Sequence, residues 1–291
     1  MGKLNEKIAV VTGSTRGFGL AVAKAFAAEG ASIVIGSRSQ AAVDSTVADL
    51  NQKGFDVAGI SCDVSEFDQV QSLADFAIEK FGKFDIWVNN AAITPAYGPT
   101  PHLSPEAVLK TLKIDIFGTY FGSLIAMRRF LSQGNGKLIN ILGMGERKPA
   151  PMQNAYGSSK AWVRYFTQAL AEEYKNSGIS VIAFSPGMMD TDMLLDVEVI
   201  DGFQQTLKSF PFIVQALSQP VEIPAKRMVW LASAATDHKT GLVVRELTTV
   251  GVIFRFFRQL MRRLFRTPGR ELNITTKIVP SAYTDKREKG E

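Results

Sequence analysis

The sequence predicts an α/β protein: a Rossmann-type, doubly wound parallel sheet in one domain, with a C-terminal amphipathic helical extension. Three observations predict it. Short β-branched apolar runs alternate with longer helical patterns through residues 1–250. Glycines close one helical pattern after another. A glycine cluster fills the first strand-to-helix turn. Parallel strands need crossover connections, and helices are the usual ones.

Each element follows from its residues. Lys7–Thr12 (KIAVVT) is a buried strand, and Gly17–Glu29 an Ala-rich helix that Gly30 ends. Ser32–Gly36 is the second strand, Gln40–Lys53 the second helix with Gly54 behind it, and Asp56–Ser61 the third strand. Glu66–Phe81 is a helix closed by Gly82, and Phe84–Val88 the fourth strand. A Pro- and Gly-rich loop, Thr94–Leu103, precedes Ser104-Pro105-Glu106, a helix start with a cap residue and Pro in the first turn. That helix runs to about Leu131. Lys137–Leu142 is the fifth strand, Ala155–Asn176 a long helix closed by Gly178, Ile179–Phe184 the sixth strand and Leu242–Leu247 a seventh.

Composition excludes several functions. The 291 residues hold one cysteine, Cys62, and two histidines, His102 and His238, so no internal disulfide and no Cys- or His-based metal site is expected. Residues 1–250 carry 23 basic against 24 acidic side chains, and residues 251–291 carry 10 against 4. A neutral body with a basic tail argues against nucleic acid, which would need a basic face across the domain. No charged-then-apolar signal segment opens the sequence, and no stretch suits a spanning helix. The expected location is cytoplasmic.

The first strand leads into Thr12-Gly13-Ser14-Thr15-Arg16-Gly17-Phe18-Gly19. A backbone that turns sharply and approaches a pyrophosphate needs residues without Cβ, and free amides at the helix start then face the anion. At the end of the second strand an acidic residue would hold a free ribose 2′-hydroxyl. Here that end reads Gly36-Ser37-Arg38. Arg16 and Arg38 offer two cations for a 2′-phosphate, so NADP(H) is expected over NAD(H). Tyr156 and Lys160 are one helical turn apart on one face. A free phenol has a pKa of about 10, and a nearby ammonium is expected to lower it and make Tyr156 a proton donor to a carbonyl oxygen.

The glycine spacing, Asn89-Asn90-Ala91-Ala92, Tyr156-Gly157-Ser158-Ser159-Lys160 and Pro186-Gly187 with Thr191 together resemble the short-chain dehydrogenase/reductase family over about residues 5–248. The resemblance implies that Asp63 and Val64 hold the adenine, that Asn90, Ala91 and Ala92 line the ribose side, and that Thr191 reaches the carboxamide. Pro186, Gly187 and Met189 would line the same cofactor, and Lys160 would hold the nicotinamide ribose. It also implies homo-oligomers, dimers or tetramers. Two positions depart from the family. Where a Ser would hydrogen-bond the substrate oxygen the sequence has Gly143, and where an Asn would support a water relay it has Asp115.

The runs around Gly143-Met144-Gly145, Lys148-Pro149-Ala150-Pro151, Ser185-Pro186-Gly187-Met188-Met189 and Asp192-Met193-Leu194 are similar to the chlorophyll(ide) b reductase branch. That branch implies NADPH reduction of a formyl group on a chlorin ring. Residues 188–224 are rich in Met, Leu, Phe and Val, and in this family they cover the substrate. Gly143, Met144, Met188 and Met193 are the expected substrate contacts. The same residues also fit the buried face of lid helices.

Residues 251–266 read as a basic amphipathic helix, with Ile253, Phe256, Phe257, Leu260, Met261 and Leu264 on one half and Arg255, Arg258, Arg262, Arg263 and Arg266 on the other. This is the pattern of a helix lying on a membrane surface, or of one packed on protein. Residues 275–291 look polar. The reading is an NADP(H)-dependent reductase of a carbonyl on a bulky apolar substrate, with Tyr156, Lys160 and Asp115 as catalytic residues. The alternatives are a non-catalytic NADP(H)-binding or scaffold protein and a reductase of a lipid, steroid-like or polyketide ketone.

Overall fold

A computed structural model describes residues 2–265 and 270–283, without the side chain of Arg263. The first half alternates β1 (Ile8–Thr12), α1 (Gly17–Ala28), β2 (Ser32–Ser37), α2 (Gln40–Gln52), β3 (Val57–Ser61), α3 (Phe67–Phe81) and β4 (Ile86–Asn89). Then come α4 (Pro105–Leu112), α5 (Gly118–Gln133), β5 (Gly136–Ile141), α6 (Asn154–Glu173) and β6 (Ile179–Ser185). The remainder holds α7 (Asp192–Leu195), β7 (Asp196–Ile200), α8 (Phe210–Leu217), α9 (Glu222–Ala232), β8 (Leu242–Arg245), α10 (Thr249–Leu264) and β9 (Thr275–Val279).

Seven parallel strands form one sheet in the order β3-β2-β1-β4-β5-β6-β8. Every residue of β1 and β4 is buried, as their unbroken apolar runs require of strands covered on both faces. One core layer packs Phe18, Val22 and Phe26 of α1 with α9 against the sheet. The other packs Leu73 and Ala77 of α3 with Ile125 and Phe130 of α5 against the opposite face. Strand order reverses between β1 and β4, and in such sheets a crevice opens there beyond the carboxyl ends of the strands. The local sequence sets the ends of the helices. Ser39 and Ser104 accept hydrogen bonds from Ala42 N–H and Ala107 N–H, and Gly82 and Gly134 take left-handed φ of 80° and 73° behind α3 and α5.

Three differences from the expected elements matter for the site. The helix expected from Ser104 to about Leu131 is interrupted at Lys113–Phe117 by a π-turn, in which Gly118 N–H bonds the Lys113 carbonyl five residues back. Residues 275–291, read as polar, contain a strand. Thr275-Thr276-Lys277-Ile278-Val279 is β-branched enough to pair in parallel with β7, from Asp196↔Thr275 to Ile200↔Val279. The apolar residues of 188–224 partly serve their own small core, in which Val197, Val199 and Leu207 pack with Tyr97, Phe203 and Phe210. The basic helix forms as α10, but Phe256 turns toward α8, 6.1 Å from Phe212, and Phe254 and Phe265 join the exposed apolar stripe. Arg266 and residues 284–291 lie outside the described residues.

Candidate active site

Beyond the carboxyl ends of β1, β4, β5 and β6 the chain brings the glycine loop, Asn90, Gly143 and Pro186 to one crevice. The loop is held from below. Gly13 N–H bonds the Gly36 carbonyl at 2.7 Å, and the buried Ser14 hydroxyl donates to the Val11 carbonyl at 2.6 Å. Asn90 donates to the carbonyls of Thr12 and Gly13 at 2.9 and 3.1 Å, while the Thr12 hydroxyl accepts from the Asn90 and Ala91 amides. Ser14 and Asn90 therefore shape the cradle, and their side-chain polar groups are committed to backbone. Gly19 could carry no Cβ, which would stand 2.3 Å from the Gly13 carbonyl oxygen, and Gly13 and Gly17 take φ of +63° and +54°. Helix α1 starts at Gly17 without a side-chain cap, so its first amides face the crevice.

The two expected cations do not converge. Arg16 is exposed and bridges Asp192 at 3.3 Å, tying the glycine loop to the start of α7. Arg38 is exposed at the rim of a pocket of about 350 Å³ that it lines with Asp63, Ser65, Lys110, Lys113 and Ile114. Thr15 Oγ1 bonds Ser37 Oγ at 3.0 Å beside it. Asp63 Oδ1 accepts from the amide and hydroxyl of Ser65, and Val64 is buried against Gly118. The expected carboxamide residue, Thr191, arches over the loop, its methyl 3.5 Å from where a Cβ on Gly17 would lie. Pro186 gives its carbonyl to Gln219 at 3.1 Å, and Met189 bridges Gln219 as an isolated parallel pair.

At the end of β5 the three expected catalytic residues meet. Asp115 is fully buried in the π-turn. Its Oδ1 accepts from Ile93 N–H at 3.0 Å, and its Oδ2 lies 2.8 Å from Ser159 Oγ. Ser159 Oγ is also 2.7 Å from the Tyr156 carbonyl, so its single proton serves whichever oxygen the state of Asp115 leaves. Lys160 is buried, donates to the Ile141 carbonyl at 3.3 Å, and sits 5.6 Å from the centroid of the Tyr156 ring. The Tyr156 hydroxyl lies where the Gly143 side chain would begin: a Cβ there would come within 2.2 Å of the oxygen and 2.9 Å of Cζ.

The electrostatics of this cluster differ from the simple expectation. Burial raises the Asp115 carboxyl, opposed by Lys160, Ile93 N–H and Ser159. Burial lowers the Lys160 ammonium, and Asp115 opposes that. Burial pushes the Tyr156 phenol above its ordinary value, and the charges of Asp115 and Tyr97 push it further in the same direction. The lowering expected from Lys160 is thus outweighed: a phenolate here would lose water and face a carboxylate. The site holds Tyr156 in its protonated form.

Sequence reasoning missed several neighbours. Tyr97 shares a second pocket of about 130 Å³ with Pro151, Met152, Phe210 and Ile213, and its ring packs edge-on to Phe210 at 5.7 Å. Gly98 N–H bonds the Met152 carbonyl, which seats this loop beside the start of α6. Gln153 is fully buried three residues before Tyr156. Its Nε2 donates to the Pro95 carbonyl, and its Oε1 has no partner among the described residues. Only the place of Gln153, at the cap of the helix that carries Tyr156 and three residues before it, could have signalled it. Of the expected substrate contacts, Gly143 touches Tyr156, Met144 is 52% exposed, Met193 is 42% exposed, and the Met188 carbonyl holds Gln219 N–H.

Residues 7–198 match the short chain dehydrogenase family. The chain belongs to the short-chain dehydrogenase/reductase family. This short-chain dehydrogenase is 34% identical over 261 residues to chlorophyll(ide) b reductase NOL, chloroplastic, of Oryza sativa subsp. japonica, covering 86% of this chain and 74% of that protein. It is also 34% identical over 240 residues to 3beta-hydroxysteroid dehydrogenase 1 of Eggerthella lenta, covering 82% and 91%. Among solved structures, a gluconate 5-dehydrogenase from Burkholderia cenocepacia J2315, in complex with NADP and tartrate, superposes with a TM-score of 0.73 at 26% identity, covering 83% of this chain and 94% of that one. The family binds NAD(P), and the short-chain dehydrogenase described here has the cradle for it: a Cβ-free loop, an uncapped helix start and a crevice at the strand-order reversal. Among the described residues no group of His, Cys, Asp and Glu could hold a metal, and no helix is long and apolar enough to cross a membrane.

Proposed function

We propose that this oxidoreductase uses NADP(H) to reduce a carbonyl on a bulky apolar ring, with a formyl chlorin as the leading substrate. The observation that carries the reading is the convergence of the Tyr156 hydroxyl, Lys160 and Asp115 at the end of β5, facing the glycine cradle. Bound there, the nicotinamide cofactor supplies hydride. Tyr156 holds the proton for the carbonyl oxygen, and the protein field that raises its pKa keeps that proton in place at neutral pH. Lys160, fixed on the Ile141 carbonyl, is placed to hold the ribose, and Asp115 opposes the lowering that burial imposes on its ammonium. Arg38, exposed beside Thr15 and Ser37, favours the 2′-phosphate form of the cofactor, while Arg16 is paired with Asp192. Glycine at 143 leaves room for the phenol itself to approach the substrate oxygen.

Similarity to a chlorophyll(ide) b reductase and to a hydroxysteroid dehydrogenase supports a ring-bearing apolar substrate. The pocket of about 130 Å³ under α8, lined by Tyr97 and Phe210 but by none of Tyr156, Lys160 and Gly143, is smaller than the 300–1,000 Å³ that usually takes such ligands. The same reading makes the enzyme a cytoplasmic homo-oligomer, peripheral on a membrane through 251–266. Turnover of Tyr156→Phe tests the reductase. NADPH oxidation with formyl chlorins, and in parallel with steroid-like, lipid and polyketide ketones, should fall at least about 10³-fold, from loss of the acid and of alignment, while NADPH binding is kept. Equal turnover of variant and wild type refutes the role of Tyr156, and no turnover on any carbonyl by wild type refutes the reductase.

A further inference from the structure

Helix α10 has two unlike faces. One is bound to the substrate lid. Phe256 packs on Phe212 of α8, the buried Gln259 donates to Gln215 at 3.1 Å, and Arg255 donates to the Leu217 carbonyl at 2.9 Å and to Gln219 Oε1 at 2.8 Å. The other face carries Ile253, Phe254, Phe257, Leu260, Leu264 and Phe265, each between 59% and 71% exposed. Their spacing makes one continuous stripe, about 18 Å long at 1.5 Å per residue. Folded proteins rarely leave so long an apolar stripe in water without a use for it.

The charge beside the stripe selects the occupant. From Thr249 to Arg270 the sequence has six arginines and no acidic residue, and two of the six, Arg255 and Arg270, are engaged with the lid. Arg258 stands exposed at the edge of the stripe. Two copies of this helix laid face to face would bring arginines together with no carboxylate of the segment between them. An anionic lipid surface accepts both the aromatic and aliphatic stripe and the cation at its edge, Arg258. We propose that α10 is a docking surface for anionic lipid, with its exposed stripe inserted at the headgroup–acyl boundary. The same helix holds the lid of the active site over this surface. Arg255 fixes the turn after α8, and Arg270 reaches Asp190 at 2.8 Å and the carbonyl and hydroxyl of Ser218. Lipid contact and the substrate entrance therefore belong to one body. The docking surface rests on the reading of an apolar substrate only for its purpose, and lipid binding is measured independently of turnover.

Removing residues 251–291 is a poor test, because it also strips β7 of its strand partner and removes Arg255 and Arg270 from the lid. The full chain with Phe254→Asp and Phe257→Asp changes only the exposed face. Co-sedimentation is measured with phosphatidylglycerol/phosphatidylcholine vesicles and with phosphatidylcholine alone. The wild type should pellet with the anionic vesicles and bind phosphatidylcholine at least tenfold more weakly. The double variant should lose at least tenfold in binding, while keeping wild-type NADPH affinity and wild-type reduction of a soluble aldehyde such as 4-nitrobenzaldehyde. A wild type that stays in the supernatant overturns the proposal, as does a variant that binds like wild type. So does a stripe whose substitution splits an oligomer without changing lipid binding. Lipid binding without any carbonyl turnover would sink the reductase reading and leave the docking surface standing.

Discussion

Gly143→Ser supplies the hydroxyl that the family resemblance implies at the end of β5, yet it should slow the enzyme. A Cβ at this position would stand 2.2 Å from the Tyr156 oxygen, 2.9 Å from Cζ and 3.2 Å from Lys160 Cγ. Ordinary contact needs about 3.4 Å, so the hydroxyl must retreat by about 1.2 Å and the ring must move with it. The start of α6 limits that movement, since Gly157 packs its backbone against Gly145 and Ala150. A shift of about 1 Å in a reacting group can cost about 10² in rate, and overpacking of this kind costs about 1–3 kcal/mol of stability. Against this, a correctly aimed new donor to the developing oxyanion would be worth about 10²–10³ in rate. The steric term comes first, because the Ser hydroxyl cannot be aimed until the phenol has moved. The assay is NADPH oxidation followed at 340 nm with a soluble aldehyde, alongside thermal melting. A fall of about 10² in kcat with a lowered Tm is expected. A Gly143→Ser variant as fast as wild type or faster would refute the claim that glycine is there to admit the phenol.

Two further predictions concern charge. Asp115 raises the pKa of both Tyr156 and Lys160, so Asp115→Asn should lower both. Reduction needs protonated Tyr156, and activity is lost as pH rises through its pKa. The alkaline limb of the kcat profile should therefore move to lower pH, with kcat at neutral pH falling no more than about tenfold, the scale of one hydrogen bond. A limb that stays or moves upward counts against the coupling. Arg38→Ala should raise the KM for NADPH by about 10–10², as expected for one charged hydrogen bond, and leave that for NADH nearly unchanged. Equal effects on both cofactors would remove Arg38 from the 2′-phosphate.

The seven-stranded sheet was legible because most of its strands are apolar, β-branched runs. Ile8–Thr12 and Ile86–Asn89 are buried on both faces and have no other stable placement. The pairing of Tyr156 with Lys160 was legible from their spacing of four on one helix, whereas Asp115 was placed beside them only by the family resemblance. Their electrostatics were not, because the rise in the Tyr156 pKa depends on how completely the fold removes water and how near Asp115 and Tyr97 come. Asn90 reads as a ligand in sequence, but its amide is used by the carbonyls of Thr12 and Gly13, which only the folded loop reveals. The π-turn at Lys113–Phe117 leaves no mark on a helical wheel. The pairing of β7 with β9 escaped notice because each strand is short and the partners are 79 residues apart.

That small sheet has a consequence for how the enzyme breathes. Its two strands close a long loop, and the entropy of closing it is recovered through only five paired residues. A two-stranded ribbon is marginal on its own, whereas the large sheet shares its hydrogen bonds among seven. The ribbon should exchange its amide hydrogens by local opening, well before the strands beneath the cofactor cradle do. Melting and rejoining of this one strand pair leaves the seven-stranded sheet intact, because the two sheets share no strand.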